Sequence, residues 1–111
     1  EPPLKPLKDI PRMAKKASEM LHRSLDSLVN RDTVLANQVC DDDDEVDALY
    51  DKVYRDLLGY MIDDQSTIQR ATYLLWVSHD LERIADRATN IAERSIYLVT
   101  GKMIEVNISK Y

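Results

Sequence analysis

The chain contains very few residues that interrupt a helix. Its 111 residues include two glycines and four prolines, and three of the prolines, Pro2, Pro3 and Pro6, fall within the first six positions. Glycine and proline are the residues that most destabilise a helix interior. No stretch alternates apolar and polar residues as a half-buried strand does. The sequence after the leader therefore favours long helices.

The first predicted helix begins at Asp9, which we expect to cap it, and carries Pro11 in its first turn. It ends before a tight turn at Asn30-Arg31-Asp32. Asp32 then caps a second helix from about residue 33 to residue 62. The apolar residues of the first helix recur at helical spacing, at Ile10, Met13, Ala14, Ala17, Leu21, Leu25 and Leu28.

A second turn follows residue 62 and precedes the longest predicted helix. Ser66 and Gln69 have the spacing of a capping box, so we expect the third helix to begin at Ser66. It runs to about Thr100, and Gly101 suits the position just after a helix. Its main apolar positions are Leu74, Val77, Leu81, Ile84, Ala88, Ile91 and Leu98.

Short turns between long helices favour antiparallel neighbours. We therefore predict an all-α fold, an antiparallel up-down-up three-helix bundle over residues 9–101. Residues 1–8 are predicted to be an extended, Pro-rich leader, and residues 102–111 a short tail. A long coiled coil is the main alternative, and the two turn signals count against it.

Charge and cysteine content limit the partners and the location. The net charge of −5 argues against nucleic acid as a partner, because phosphate binding needs clustered Lys and Arg. A single cysteine excludes an intramolecular disulfide, which fits a reducing compartment. We find neither a signal peptide nor an apolar run of membrane-spanning length. These features predict a cytoplasmic location without membrane insertion.

Carboxylates interrupt the apolar register of the second and third helices. Asp42 and Asp43 stand where the second helix calls for hydrophobic residues, and Glu82 does so in the third. At about 100° per residue, one arc of roughly 80° on the third helix holds His79, Glu82, Asp86, Asn90 and Glu93.

Folding the two helices back at Asp64 brings Asp43 and Asp47 opposite Glu82 and Asp86. Four converging carboxylates repel one another unless they are protonated or bridged by a cation. Hard oxygen ligands suit Mg²⁺, Ca²⁺ or Mn²⁺, and iron also accepts them. The spacing is therefore compatible with a metal site in the groove between these helices.

A simpler interpretation is a solvated acidic surface. The run of acids at residues 41–45 is of a kind that water usually covers, and Arg83, Arg87 and Arg94 could neutralise nearby acids by surface salt bridges. His22 and His79 could touch a metal site, but the sequence favours ordinary surface positions for both.

Several segments resemble the PhoU family. Residues 81–93, LERIADRATNIAE, resemble its signature helix, and residues 43–50, DDEVDALY, resemble its other acidic motif. Residues 6–10 and 29–32 are similar to the start of the second of the family's two repeats. The resemblance covers nearly the whole chain, as one repeat. Ala85 replaces a usual glycine and Arg87 a common histidine, the second of which removes a potential ligand.

The resemblance implies multinuclear metal clusters held by the acidic motifs. Its ligands would be Asp43, Asp47, Glu82 and Asp86, with Asn90 and Glu93 as auxiliaries. The metal would be a divalent or trivalent ion such as Fe, Mn, Zn or Mg.

The resemblance also implies a regulatory adaptor rather than an enzyme. Family members repress the phosphate-starvation response and couple the phosphate transporter, through its ATPase subunit, to a sensor histidine kinase. This places the chain at the inner face of the membrane, and a single repeat with an exposed flank favours a homodimer. Two alternatives stay open, a carboxylate-bridged metalloenzyme and a metal-free helical interaction module.

Overall fold

The computed structural model describes residues 8–101, which form three long helices and one short one. Helix α1 spans Asp9–Asn30, α2 spans Thr33–Asp63, a 3-10 helix spans Gln65–Thr67, and α3 spans Ile68–Thr100. The three long helices all contact one another. The all-α three-helix bundle is therefore confirmed. Of the predicted leader only Lys8 is described, and the predicted tail, residues 102–111, lies outside the described residues.

Three ion pairs between α1 and α2 show how these two helices are oriented. As the residue number increases along α1, the number of its partner on α2 decreases. Going along α1, the pairs are Asp9 with Lys52, Lys16 with Glu45, and Arg23 with Asp42. This is the order that two helices running in opposite directions require. Each pair joins an acid to a base across the helix interface, so α1 neutralises part of the charge on α2.

The turn between α1 and α2 forms as the sequence predicts. Arg31 adopts a left-handed conformation with φ of 54°, and its backbone N–H donates to the carbonyl of Ser27. The carboxylate of Asp32 then accepts a hydrogen bond of 3.1 Å from the backbone N–H of Leu35. Asp32 thus satisfies a backbone donor in the first turn of α2 that has no partner within the helix.

The turn between α2 and α3 differs from the predicted capping box. Asp64, not Ser66, is the capping side chain, and its carboxylate accepts from the Ser66 backbone N–H at 2.9 Å. The Thr67 hydroxyl bonds to the carbonyls of Tyr60 and Asp64, at 2.9 and 2.7 Å. The intervening 3-10 helix delays the start of α3 to Ile68, so the capping-box prediction is wrong.

The predicted role of Asp9 as the cap of α1 is also wrong. Asp9 is the first helical residue, and it is buried, with 4% of its surface exposed. Its carboxylate accepts from the Lys52 ammonium at 2.8 Å, and the Arg12 guanidinium lies 3.9 Å away. A buried carboxylate needs such partners. Asp9 therefore links α1 to α2 through an ion pair instead of capping α1.

Small residues line the buried face of α3. Apart from Ile96 and Glu93, the buried positions are Ala71, Ser78, Ala85, Ala88, Thr89, Ala92 and Ser95. Val77, Ile84 and Leu98, predicted to face the core, are 37–51% exposed. Short side chains let helices approach closely. The large side chains in α2, including Val39, Val46, Val53 and Leu57, fill the centre instead.

The contact between α1 and α3 shows how close this approach is. The Ser95 hydroxyl on α3 donates a 2.8 Å hydrogen bond to the backbone carbonyl of Ser27 on α1. Both serines are buried, whereas Leu25, predicted to face inward, is 45% exposed. Leu25 on α1 and Val77, Ile84 and Leu98 on α3 therefore lie on the outer surface, whereas Ile10 and Ile96 remain in the core. Within residues 8–101, no helix combines the length and apolar character needed to cross a membrane.

Candidate metal centre

The acidic run of α2 is divided between its two neighbouring helices. Successive helical residues point about 100° apart, so a run of five acids covers the whole circumference. Asp42 pairs with Arg23 and Glu45 with Lys16, both on α1. Asp43 is instead buried, with none of its surface exposed. The run is therefore not simply a solvated surface.

Three carboxylates converge between α2 and α3. Each of Asp43, Asp47 and Asp86 offers a carboxylate oxygen that lies within 4.8 Å of the others. Asp43 and Asp47 are four residues apart and share a face of α2, and Asp86 reaches them from α3. Asp43 is fully buried, and the other two are half-buried. We call this group the Asp triad.

The Asp triad has the chemistry and spacing of a cation site. Carboxylate oxygens bind Mg²⁺ or Ca²⁺ at about 2.0–2.6 Å, so two ligands of one ion lie at most about 4–5 Å apart. The spacing of 4.8 Å falls in that range. Three negative charges so close together repel one another, and a bound cation would offset that repulsion. The donor set therefore fits a hard metal ion.

The other three predicted ligands lie outside the Asp triad. Glu82 is half-buried and lies near Tyr50. Burial raises the pKa of Tyr50 most, and the negative charge of Glu82 raises it further. Glu93 is buried, with 9% of its surface exposed. Asn90 is exposed. The structure thus brings together three of the six predicted ligands.

Neither histidine belongs to the Asp triad. His22 is exposed, and the neighbouring Arg23 is the α1 residue that pairs with Asp42. His79 is also exposed, and its ring centroid lies 6.3 Å from that of Tyr50. Both histidines therefore lie at surface positions, as the sequence favoured.

Cys40 lies close to the buried acids but keeps its proton. Burial, and then the charges of Glu93, Asp41 and Asp43, raise the pKa of the Cys40 thiol to about 12. The thiolate is the form of cysteine that binds metals. At neutral pH Cys40 is therefore a small buried thiol, 5% exposed.

Two features of the site were not predicted from the sequence. Tyr50 was assigned to the apolar stripe of α2, but it lies one turn beyond Asp47 and beside His79. The second is the 3-10 helix between α2 and α3, which the fold-back at Asp64 did not include. Counting along both helices from Asp64 places Tyr50 opposite Ser78, beside His79, and would have shown it near the site.

Comparisons with known proteins agree with this arrangement. The PhoU domain model matches residues 10–95, which include all three helices and the Asp triad. A phosphate-specific transport system accessory protein PhoU homolog from Clostridium acetobutylicum is 43% identical over 101 residues, covering 91% of this chain and 46% of that protein. A second relative, PhoU homolog 2 of Thermotoga maritima, is 46% identical over 102 residues, covering 92% of this chain and 43% of that protein.

A third relative, the PhoU homolog of Aquifex aeolicus, is 43% identical over 105 residues, covering 95% of this chain and 48% of that protein. The chain thus spans less than half the length of these curated relatives, as one repeat of a two-repeat protein would. Both the domain match and the extent of identity show the family. The chain belongs to the PhoU family.

Proposed function

We propose that this chain is a metal-binding regulatory adaptor of phosphate transport. The observation that carries the proposal is the convergence of Asp43, Asp47 and Asp86 from two helices, within 4.8 Å of one another. The names of the relatives, accessory proteins of a phosphate-specific transport system, support the transport role. Fe, Mn, Zn or Mg ions would be held by the Asp triad.

Glu82, Asn90 and Glu93 would extend the site along α3. They lie within about one to two turns of Asp86 on the same arc of the helix. A second ion of a multinuclear cluster would need such additional oxygens, and Glu82 on one side and Asn90 on the other would provide them. Glu93, being buried, would act mainly by its charge.

The partners would be those that the family resemblance implies. The chain would contact the ATPase subunit of the phosphate transporter and a sensor histidine kinase, and would repress the phosphate-starvation response. It would work in the cytoplasm at the inner face of the membrane. No catalytic step is assigned to it, since the two histidines lie outside the Asp triad.

An apolar flank supports pairing with a second three-helix unit. Val77, Ile84 and Leu98 on α3 are 37–51% exposed, and Leu25 and Val29 on α1 are 45% and 81% exposed. Exposed apolar side chains on two packed helices offer area that a partner would bury. In the chain as given, a second copy would cover this flank and form a homodimer.

The experiment is metal analysis of the untagged protein, with variants inside and outside the Asp triad. We expect bound metal in the parent and its loss in Asp47→Ala and Asp86→Ala. Asp44→Ala is the matched control, because Asp44 is an exposed acid of the same run. Circular dichroism verifies that each variant stays helical. Equal metal content in all four proteins, or none in the parent after incubation with excess Mn²⁺ or Mg²⁺, would refute the site.

Partner binding is measured separately from metal binding. The purified chain is mixed with the transporter ATPase subunit, with and without EDTA, and complex formation is followed by size-exclusion chromatography. Binding that EDTA abolishes supports a metal-dependent adaptor. Binding that EDTA leaves unchanged would support an interaction module whose contacts do not need the ion.

A further inference from the structure

Three arginines lie on the solvent-facing surface of α3 without acidic partners. Arg83, Arg87 and Arg94 are exposed, and within residues 8–101 none of them takes part in a salt bridge. The sequence suggested that they neutralise the nearby acids. That interpretation is wrong, because the salt bridges of the described residues join α1 to α2 or lie within α1, and none of them includes these arginines.

The three arginines form one row. At about 100° per residue they fall within an arc of roughly 40°, and the row is about 16 Å long at 1.5 Å per residue. Trp76 lies on the same arc, two turns before Arg83, and is 62% exposed. Its ring packs edge-on against that of Tyr73, with centroids 5.7 Å apart. We call Trp76, Arg83, Arg87 and Arg94 the Trp–Arg row.

A single exposed arginine is ordinary, but several exposed arginines in a row with an exposed tryptophan are typical of a protein–protein interface. Arginine and tryptophan are among the residues most enriched at binding hot spots. A guanidinium binds carboxylates through two parallel hydrogen bonds, a geometry that lysine lacks. The Trp–Arg row thus offers an aromatic anchor and a series of carboxylate receptors at helical spacing. Asp80, an exposed acid about 20° outside this arc, forms no salt bridge with the arginines.

We propose that the Trp–Arg row is a docking surface for an acidic helical segment of a partner protein. Charge complementarity selects this occupant. Nucleic acid fits less well, because the chain carries a net charge of −5 and Asp86 of the Asp triad lies on the adjoining arc of the same helix. A continuous phosphate backbone would meet both surfaces, whereas a helix with acids on one stripe contacts only the arginines.

The surface is distinct from the metal site, so the test is run in EDTA. The probe is a synthetic helical peptide. Three glutamates in it have the same spacing as the three arginines, and one leucine occupies the position that corresponds to Trp76. The order of these four residues is reversed, so that the bound peptide runs antiparallel to α3. A second peptide carries glutamine in place of each glutamate. Trp76 is the only tryptophan in the chain, so its emission reports binding directly.

We expect the glutamate peptide to bind and to shift the Trp76 emission to shorter wavelength. The triple variant Arg83→Gln/Arg87→Gln/Arg94→Gln should bind it about tenfold or more weakly. The control variant Lys8→Gln/Lys15→Gln/Arg55→Gln changes the net charge equally at exposed bases elsewhere, and should bind within about twofold of the parent. Added salt should weaken binding.

Three outcomes would overturn the proposal. One is equal loss of affinity in the two triple variants, which would mean that net charge alone attracts the peptide. Another is equal binding of the glutamate and glutamine peptides. The third is the absence of binding at peptide concentrations up to about millimolar. If the parent then bound vesicles of phosphatidylglycerol, the Trp–Arg row would be a membrane contact and the proposal would be wrong.

Discussion

Carboxylate oxygens of Asp43 and Asp86 lie within 4.8 Å of each other, although the two residues belong to different helices. A cation between them would link α2 to α3 in the folded state only. Adding Mn²⁺ or Mg²⁺ should therefore raise the melting temperature. At a free metal concentration of 100 times Kd the gain is about 2.7 kcal/mol, which corresponds to about 10–20 °C for a domain of this size. Asp86→Asn should lose most of this shift.

The control is Asp44→Asn, which removes an exposed acid of the same run and should keep the shift. In EDTA the order of stability should reverse. Asp86→Asn then removes one of three mutually repelling carboxylates, and we expect its free energy of unfolding to exceed that of the parent by about 1 kcal/mol. A metal-induced shift of equal size in Asp86→Asn would place the ion elsewhere.

The small residues of α3 should not tolerate larger ones. Ala85 is fully buried and the adjacent Ile84 is 37% exposed, so the two positions form a matched pair. Ala85→Leu should lower the free energy of unfolding by about 1–3 kcal/mol through overpacking. Ile84→Ala removes a half-exposed side chain and should cost about 1 kcal/mol. Urea unfolding of the monomeric chain measures both, and a greater cost at Ile84 would contradict the packing described for α3.

Two lysines that pair with acids across the same interface should differ in importance. Lys52 is 2.8 Å from the buried carboxylate of Asp9, so Lys52→Ala removes the closest partner of a buried charge and should cost about 1–3 kcal/mol. Lys16 pairs with Glu45, whose side chain is 60% exposed, and Lys16→Ala should cost about 0–1 kcal/mol. The comparison uses chemical denaturation at pH 7, and similar costs would show that burial of Asp9 does not decide the effect.

Cys40 should make the protein sensitive to alkaline pH. Its folded-state pKa of about 12 lies above the usual value of about 8.5 in an unfolded chain. Between these values the unfolded chain releases the proton more readily, so the stability contribution is complete below about pH 8.5 and is lost as the pH rises towards 12. Cys40→Ala should therefore lose less stability than the parent between pH 9 and 11, in urea titrations at fixed steps of pH.

An independent measurement uses iodoacetamide. The folded parent should react slowly even at pH 9, because the thiol is 5% exposed and protonated. In strong denaturant the same thiol should react at the rate of a model peptide. Fast alkylation of the folded protein at neutral pH would mean that Cys40 is more accessible than its position between the helices indicates.

The helices were predictable because their signals are local. Few helix breakers, the side-chain cap of Asp32 and the left-handed Gly101 after α3 all act over a few residues. The buried face of α3 was not predictable in the same way. Hydrophobicity assigns Ile84 and Leu98 to the interior, but where two helices approach closely, alanine and serine fit and larger side chains do not.

The Asp triad was partly predictable for a similar reason. Helical spacing alone places Asp43 and Asp47 on one face, and counting back from the turn brings Asp86 near them. Which further acids join them depends on the conformation of the turn and on how far each helix is rotated. The turn conformation and the helix rotation both depend on packing between the helices. The sequence therefore placed Glu82 and Glu93 near the metal site, but it could not show whether they meet the three aspartates.

The turn at Thr67 has a mechanical consequence for the acidic groove. Its hydroxyl proton, shared between the carbonyls of Tyr60 and Asp64, fixes where α3 starts relative to α2. A rigid helix carries that rotational position over about 28 Å to Asp86. One residue inserted into α3 between Ile68 and Asp86 would rotate the Asp86 carboxylate, together with the buried face that follows it, by about 100° relative to the start of the helix. The Thr67 hydroxyl at one end of the bundle thus sets the rotational position of the carboxylates near the middle of α2 and α3.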